Sequence, residues 1–210
     1  MLLFQSILLC LLAGYILGGI SGGHVAGKLY HTDVREHGSG NLGATNVLRT
    51  LGWKAALITF SVDVLKVIIP VLIVRNLLFP QYAAYSYENQ LLVLYYAFGA
   101  VIGHNFPMTL NFHGGKGVAC LAATILMFDW RMAILEIIVF VTIVAITKYV
   151  SVGSIIVSLV FFGWIFIVHD ATLHMALIAA AFPVSVIIMH RSNIVRLIKG
   201  TENKIGSKKK

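Results

Sequence analysis

Polar and glycine residues gather in three segments of this 210-residue chain, and the first segment runs from 36 to 49. Glycines let successive backbone N–H groups point into one concavity, which binds anions. An arginine can hold a phosphate group through two parallel hydrogen bonds, and Arg49 closes the segment. The pattern therefore predicts a phosphate site. Its candidate residues are Gly38, Ser39, Gly40, Asn41, Gly43, Thr45, Asn46 and Arg49.

The spacing of Gly38, Gly40 and Gly43 matches the G-x-G-x-x-G pattern of dinucleotide-binding proteins. That pattern has this meaning only after a β-strand and within a βαβ unit, and the surrounding sequence predicts neither. We therefore reject a dinucleotide site and keep the anion-binding backbone. A flexible, solvated loop is the alternative interpretation, but Leu42 and Val47 indicate that the segment is partly buried.

The second polar segment covers 103–117 and contains a Gly-Gly-Lys-Gly sequence around Lys116. It is not a Walker A loop, because Leu110 stands where that motif requires a glycine. Lys116 precedes an apolar stretch, and a helix N-terminus there would favour an anion. The segment predicts a second phosphate contact, with a purely topological lysine as the alternative. Its candidates are His104, Asn105, Gly114, Gly115, Lys116 and Gly117.

The third polar segment, 190–204, is basic and follows the last apolar stretch. An interfacial helix with anchoring charges is the alternative reading, and it accounts for the lysines at 208–210. It does not explain a histidine, which is the usual general acid or base near neutral pH. The candidates in this segment are His190, Arg191, Asn193, Glu202 and Lys204.

The composition excludes a soluble or disordered protein. Hydrophobic residues make up 59% of the chain and charged residues 11%, against roughly 25% charged in soluble domains; mean hydropathy is +0.89. The net charge of +8 therefore indicates basic loops that orient a membrane protein, and we predict no nucleic-acid partner. Cys10 and Cys120 lie in apolar stretches, so we predict no disulfide, and the absence of metal-ligand spacing predicts no metal.

Seven apolar segments predict an all-α, polytopic membrane protein with seven transmembrane helices. With the N-terminus outside and the C-terminus cytoplasmic, 13 of the 16 Lys and Arg residues lie on the cytoplasmic side and two lie outside, as the positive-inside rule requires. All three polar segments then emerge on the cytoplasmic face. We predict one domain, 1–210, with a short basic tail at about 200–210. The predicted segments are 2–21, 55–78, 90–106, 117–129, 132–147, 152–168 and 172–189.

Two patterns inside the apolar segments bear on packing. Gly14, Gly18 and Gly22 are spaced by four in the first segment, which predicts a close helix–helix contact. Asp63 and Lys66 are three residues apart and so share one helix face. A charge inside a membrane suggests function, but a mutual ion pair is the simpler interpretation and the one we prefer.

Three long stretches resemble, in order, the three signatures of the PlsY family, the bacterial acyl-phosphate:glycerol-3-phosphate acyltransferases. Asp63-x-x-Lys66 also resembles a family pattern. The likeness runs from the first apolar segment to the end of the third polar segment, which is nearly the whole chain. The matching stretches are 38–46 with Arg49, 103–107 with 114–119, and 190–204.

The resemblance implies an enzyme of the bacterial inner membrane whose active site faces the cytoplasm. It would transfer a fatty acyl group from acyl phosphate to the 1-hydroxyl of glycerol 3-phosphate, giving 1-acylglycerol 3-phosphate (lysophosphatidic acid) and phosphate. This is the first step of bacterial phospholipid synthesis. No cofactor or metal is implied. The implied partners are the two substrates and membrane lipids, with functional coupling to the enzyme that makes acyl phosphate.

On this interpretation the glycine-rich segment binds acyl phosphate, Arg49 and Lys116 neutralise phosphate, and His190 and Asn193 orient glycerol 3-phosphate. Glu202 either holds these groups in place or accepts the hydroxyl proton. His190 and the substrate's own phosphate are the alternative acceptors, and the sequence does not separate the three. The predicted catalytic residues are Ser39, Arg49, Lys116, His190, Asn193 and Glu202. The predicted substrate-binding residues are Gly38, Gly40, Asn41, Gly43, Thr45, Asn46, His104, Asn105, Gly114, Gly115, Gly117, Arg191 and Lys204.

A transporter of phosphorylated metabolites is the main alternative function. Its weakness is that the polar segments are predicted on one membrane face, whereas transporter sites commonly lie near the midplane. A purely structural membrane protein is a third hypothesis. It is disfavoured because all three polar segments are predicted on the same membrane face.

Overall fold

The computed structural model describes residues 2–79, 81–83, 85–168 and 171–205, and the regular elements within these ranges are all helical. Short 3₁₀ turns cover Val34–Glu36 and Met108–Leu110, and a π-helical turn covers Val74–Leu78. The α-helices are α1 (Leu2–Gly18), α2 (Gly22–Leu29), α3 (Ala44–Leu51), α4 (Trp53–Ile73), α5 (Tyr87–Asn105), α6 (Val118–Phe128), α7 (Trp130–Thr147), α8 (Val150–Val168), α9 (Leu173–Met189) and α10 (Arg191–Ile198).

The prediction of an all-α, polytopic membrane protein is confirmed. Five helical stretches among the described residues are long and apolar enough to cross a bilayer, and a sixth is added if α9 and α10, bent by 56°, count as one span. Each of the seven predicted apolar segments coincides with a helix. However, α6 has only 11 residues, about 16 Å at 1.5 Å per residue, against a hydrocarbon core of about 30 Å. The count of seven spans therefore stays a prediction.

The helices form two compact units, Met1–Phe128 and Asp129–Lys210, hereafter the N-terminal and C-terminal units. In the N-terminal unit α1 packs along α5, and α4 packs against α2, α3 and α6. In the C-terminal unit α8 packs against both α7 and α9. Residues 206–210 of the predicted basic tail lie outside the described residues.

Glycines allow α1 and α5 to pack backbone to backbone. A Cβ atom at Gly14 or Gly18 would overlap backbone atoms of α5, at Tyr96 and Ala100 respectively. This confirms the predicted close contact for these two glycines. Gly22 does not belong to the same helix, because α1 ends at Gly18 and Gly22 opens α2, where it faces the backbone of Thr59 in α4.

Apolar packing fixes the glycine-rich segment against the helices around it. Leu42 and Val47 are 1% and 0% exposed. They share a buried cluster with residues of α2, of α4 and of the two 3₁₀ turns. Burial of this size excludes the flexible, solvated loop that the sequence left as an alternative. The cluster consists of Ala26, Val34, Leu42, Val47, Ala55 and Leu110.

Candidate functional site

One buried asparagine shapes the first polar segment. Asn46 is 3% exposed, and its side-chain Oδ1 accepts a hydrogen bond from the Ser39 N–H at 2.8 Å. Its Nδ2 donates to the carbonyl oxygens of His37 at 3.1 Å and Asn41 at 3.0 Å. Gly38 sits directly against Asn46 Oδ1 with φ +63°, a conformation that favours glycine. The side chain of Asn46 therefore stabilises the backbone of the loop through these hydrogen bonds.

The remaining candidates of this segment stay accessible. Ser39, Gly40 and Arg49 are exposed, and Thr45 is half-buried at the start of α3. Asn41 Oδ1 accepts the Gly43 N–H at 2.9 Å, which closes the turn that leads into α3. The result is an ordered, glycine-lined turn followed by a short helix that carries an exposed guanidinium near its end. Such a surface suits an anionic group.

The second polar segment is a tight turn fixed to the end of α5. The Gly114 N–H donates to the Asn105 carbonyl at 3.2 Å, and the Gly115 N–H donates to the His104 carbonyl at 3.0 Å. Gly117 has φ +72° and precedes α6. Lys116 is half-buried between two buried glycines, so its backbone position is determined by the turn.

His104 and Asn105 are buried, at 3% and 1% exposed, and their predicted substrate contacts stay a prediction. His104 belongs to a charged cluster with the predicted Asp63–Lys66 pair, which is confirmed with Lys66 Nζ at 2.8 Å from Asp63 Oδ1. His104 Nδ1 lies 2.9 Å from Lys66 Nζ. This third member could not be predicted from the sequence, because 38 residues separate His104 from Lys66.

Glu202 organises the polar residues of the C-terminal unit. Its Oε1 accepts hydrogen bonds from Asn193 Nδ2 at 2.6 Å and Ser151 Oγ at 3.2 Å. Its Oε2 accepts one from Arg196 Nε at 2.7 Å. Burial raises the pKa of Glu202, but the hydrogen bonds from Asn193 and Arg196 outweigh it, so the net pKa is lowered. Glu202 is therefore a carboxylate at neutral pH.

His190 lies at the bend between α9 and α10 and is 3% exposed. Its Nδ1 lies 2.8 Å from the Val186 carbonyl oxygen. A carbonyl only accepts, so Nδ1 carries a proton and donates it in this hydrogen bond. Arg191 is exposed and Nη1 donates to the Ile188 carbonyl, while Lys204 Nζ lies 5.7 Å from the centre of the Tyr149 ring.

Sequence reasoning missed Ser151 and Arg196 as members of the Glu202 network. Arg196 carries a weak signal, because it lies six residues before Glu202 in the same basic segment. Ser151 carries none, because it stands 51 residues away at the start of α8. Within the described ranges, no group of three or more His, Cys, Asp or Glu side chains is arranged to hold a metal ion.

The fold and its polar turns define a polytopic helical membrane protein with ordered, glycine-rich surfaces suited to anions. The glycerol-3-phosphate acyltransferase family profile matches residues 8–200. A glycerol-3-phosphate acyltransferase of Clostridioides difficile strain 630 is 43% identical over 213 residues, covering 99% of this chain and 98% of the relative.

Two crystal structures of PlsY (YgiH), described as an integral membrane glycerol 3-phosphate acyltransferase, are similar to the whole chain. The glycerol 3-phosphate form matches with TM-score 0.82 at 34% identity, and the lysophosphatidic acid form with TM-score 0.80 at 33% identity. Each comparison covers 96% of both chains. This chain belongs to the glycerol-3-phosphate acyltransferase family, which confirms the resemblance found in the sequence. It is a multi-pass membrane acyltransferase.

Proposed function

We propose that this protein transfers a fatty acyl group from acyl phosphate to the 1-hydroxyl of glycerol 3-phosphate. The hydroxyl oxygen forms an ester bond to the acyl carbon, the bond from that carbon to the phosphate oxygen breaks, and phosphate leaves. The hydroxyl proton passes to a base. The observation that carries the proposal is the family membership along nearly the whole chain, including the solved glycerol 3-phosphate and lysophosphatidic acid forms of PlsY.

In the N-terminal unit we assign phosphate binding to the two glycine turns. An acyl phosphate already has a good leaving group, so positioning and charge stabilisation supply most of the catalysis. The exposed Ser39 and Arg49 and the half-buried Lys116 would contact phosphate oxygens. Asn46 supports this assignment, because its hydrogen bond with the Ser39 N–H fixes the backbone that carries the Ser39 hydroxyl. The turns that place these side chains would be formed by Gly38, Gly40, Asn41, Gly43, Thr45, Gly114, Gly115 and Gly117.

In the C-terminal unit we assign polar substrate contacts to His190, Asn193, Arg191 and Lys204. Both Glu202 oxygens already accept hydrogen bonds, which favours an orienting role for Glu202 over proton acceptance. His190, whose Nδ1 donates to the Val186 carbonyl, is one proposed proton acceptor. The substrate's phosphate is the other acceptor.

We further propose that the chain is one acyltransferase domain in the bacterial inner membrane, with seven spans, the N-terminus outside and the active site on the cytoplasmic face. The charge distribution supports this orientation. The acyl phosphate donor would come from a separate enzyme that makes it, so functional coupling to that enzyme is part of the proposal.

The test uses purified protein in detergent with palmitoyl phosphate and glycerol 3-phosphate, following phosphate and lysophosphatidic acid together. We expect both products in equal, enzyme-dependent amounts, and a loss of at least 100-fold in Lys116→Ala, since a single charge-stabilising donor contributes roughly 10²–10³ in rate. Phosphate alone would mean hydrolysis. Folded protein that forms neither product would contradict the proposal and lead to transport assays.

A further inference from the structure

The buried cluster of Asp63, Lys66 and His104 has no part in the reaction described above. Its three side chains lie on α4 and α5 and are at most 3% exposed. Burying charges is costly unless they are paired and hydrogen-bonded. The hydrogen bonds that this cluster makes indicate what it does.

Lys66 Nζ contacts both other members of the cluster. It donates to Asp63 Oδ1 at 2.8 Å and lies 2.9 Å from His104 Nδ1. His104 Nδ1 is also 3.3 Å from Asp63 Oδ1, so the three side chains form one mutually paired group.

The opposite edge of the His104 ring supports the turn that carries Lys116. A Cβ atom at Gly115 would overlap His104 Nε2, so this residue packs directly on the ring. The Gly115 N–H also donates to the His104 carbonyl, and the preceding Gly114 N–H donates to the next carbonyl along α5. The backbone of the turn therefore packs on His104, and the other edge of the His104 ring contacts Lys66.

The other side of the cluster is tied to the junction between α1 and α2. Lys66 Nζ donates to the Ile20 carbonyl at 2.7 Å, and Asp63 Oδ1 accepts the Gly22 N–H at 3.1 Å. The Tyr96 hydroxyl donates to the Lys66 carbonyl at 2.8 Å. The helices α2, α4 and α5 and the 114–117 turn are thus connected through this cluster. The connections favour one relative arrangement of these parts of the N-terminal unit.

We propose that Asp63, Lys66 and His104 are positioning residues that hold the 114–117 turn, and with it Lys116, in register for acyl transfer. This inference rests on the proposed function only for the role of Lys116. It replaces the predicted substrate contact of His104 with an indirect one, made through Gly115. The cluster acts on the reaction by limiting where the Lys116 backbone can be.

The experiment compares Lys66→Met and His104→Asn with the wild-type protein in detergent. His104→Asn keeps an acceptor close to the Nδ1 position for Lys66, so it preserves the charge pairing while removing the ring edge under Gly115. Lys54→Met is the matched control, because Lys54 is an exposed lysine on the same helix. Hydrogen exchange of peptides covering 113–117 reports on the turn without requiring activity.

We expect both variants to exchange at least tenfold faster at 113–117 and to lose at least tenfold in acyl transfer, with Lys54→Met unchanged. In a Lys116→Ala background the additional loss from His104→Asn should fall below twofold, because the residue it positions is gone. Unchanged exchange at 113–117 in His104→Asn would overturn the inference, as would an undiminished loss in the Lys116→Ala background. If wild type makes no lysophosphatidic acid, the proposed function fails, and the exchange data still decide the positioning of the turn.

Discussion

At the scale of single residues, Glu202 gathers three donors from two parts of the C-terminal unit. Asn193 and Arg196 come from α10 and Ser151 from α8. Hydrogen bonds to a charged group stabilise by about 1.5–3 kcal/mol each. The charge of this carboxylate therefore joins the short helix and the following segment to α8.

Replacing Glu202 with Gln should destabilise the protein by about 2 kcal/mol at neutral pH, because the ion pair with Arg196 is lost. The pKa of Glu202 is lowered in the folded state, so its stabilisation is complete above the unfolded pKa of about 4.3. It disappears as pH falls through the folded value. Thermal unfolding of wild type and Glu202→Gln between pH 3 and pH 7 tests this. The gap between them should narrow below about pH 4, whereas a constant gap would contradict the prediction; Glu36→Gln, at an exposed site, is the control.

At the scale of helices, the contact between α1 and α5 depends on the absence of side chains. In Gly18→Ala the new Cβ would meet three backbone atoms of Ala100, and backbone cannot move away as a flexible side chain can. Overpacking of this kind costs about 1–3 kcal/mol. We expect a lower unfolding temperature for Gly18→Ala and weaker activity, since the turn that carries Lys116 is hydrogen-bonded to the last residues of α5.

Gly163→Ala provides the matched control within α8, where a Cβ would have nothing within 4 Å. Alanine is the better helix former by about 1 kcal/mol, so this variant should be unchanged or slightly more stable. Differential scanning fluorimetry in detergent measures both variants. Equal melting temperatures for Gly18→Ala and wild type would show that α1 and α5 can separate without cost.

Helix positions follow from the sequence because apolar runs are local features. The seven predicted segments all coincide with helices, and the Asp63–Lys66 pair follows from helical spacing. The break between α1 and α2 was not predicted, because it depends on Ser21, whose side chain caps α2 by accepting the His24 N–H.

The candidate site was predicted by residue type but not by burial. We predicted substrate contacts for Asn46 and His104, because polar residues beside glycines are typical of binding loops. Tertiary packing turns both inward, one onto the carbonyls of its own loop and the other onto Lys66. Contacts that span 38 or 51 residues, such as Lys66 with His104 or Ser151 with Glu202, leave no periodic trace in one sequence.

At the scale of the whole molecule, the sidedness of the chain depends on α6. Its 11 residues are short for a full crossing, whereas the charge distribution requires one. If α6 did not cross, every later helix would reverse. Lys148 and the basic C-terminal segment would then lie outside, against the positive-inside rule. We therefore keep the crossing of α6 as a prediction, since a short helix can be accommodated by local thinning of the bilayer at modest cost.

Cysteine labelling of intact cells tests this sidedness. The native Cys10 and Cys120 are buried, so an introduced cysteine is the only one expected to react with a membrane-impermeant maleimide. Trp130→Cys, at the start of α7, and Gln81→Cys, between α4 and α5, should both be labelled from outside, while Thr201→Cys should react only after permeabilisation. Labelling of Thr201→Cys together with protection of Trp130→Cys would mean that α6 returns to the cytoplasmic face. The His190–Glu202 segment would then face away from the cytoplasm, where the proposed substrates are supplied, and the proposed active-site location would be wrong.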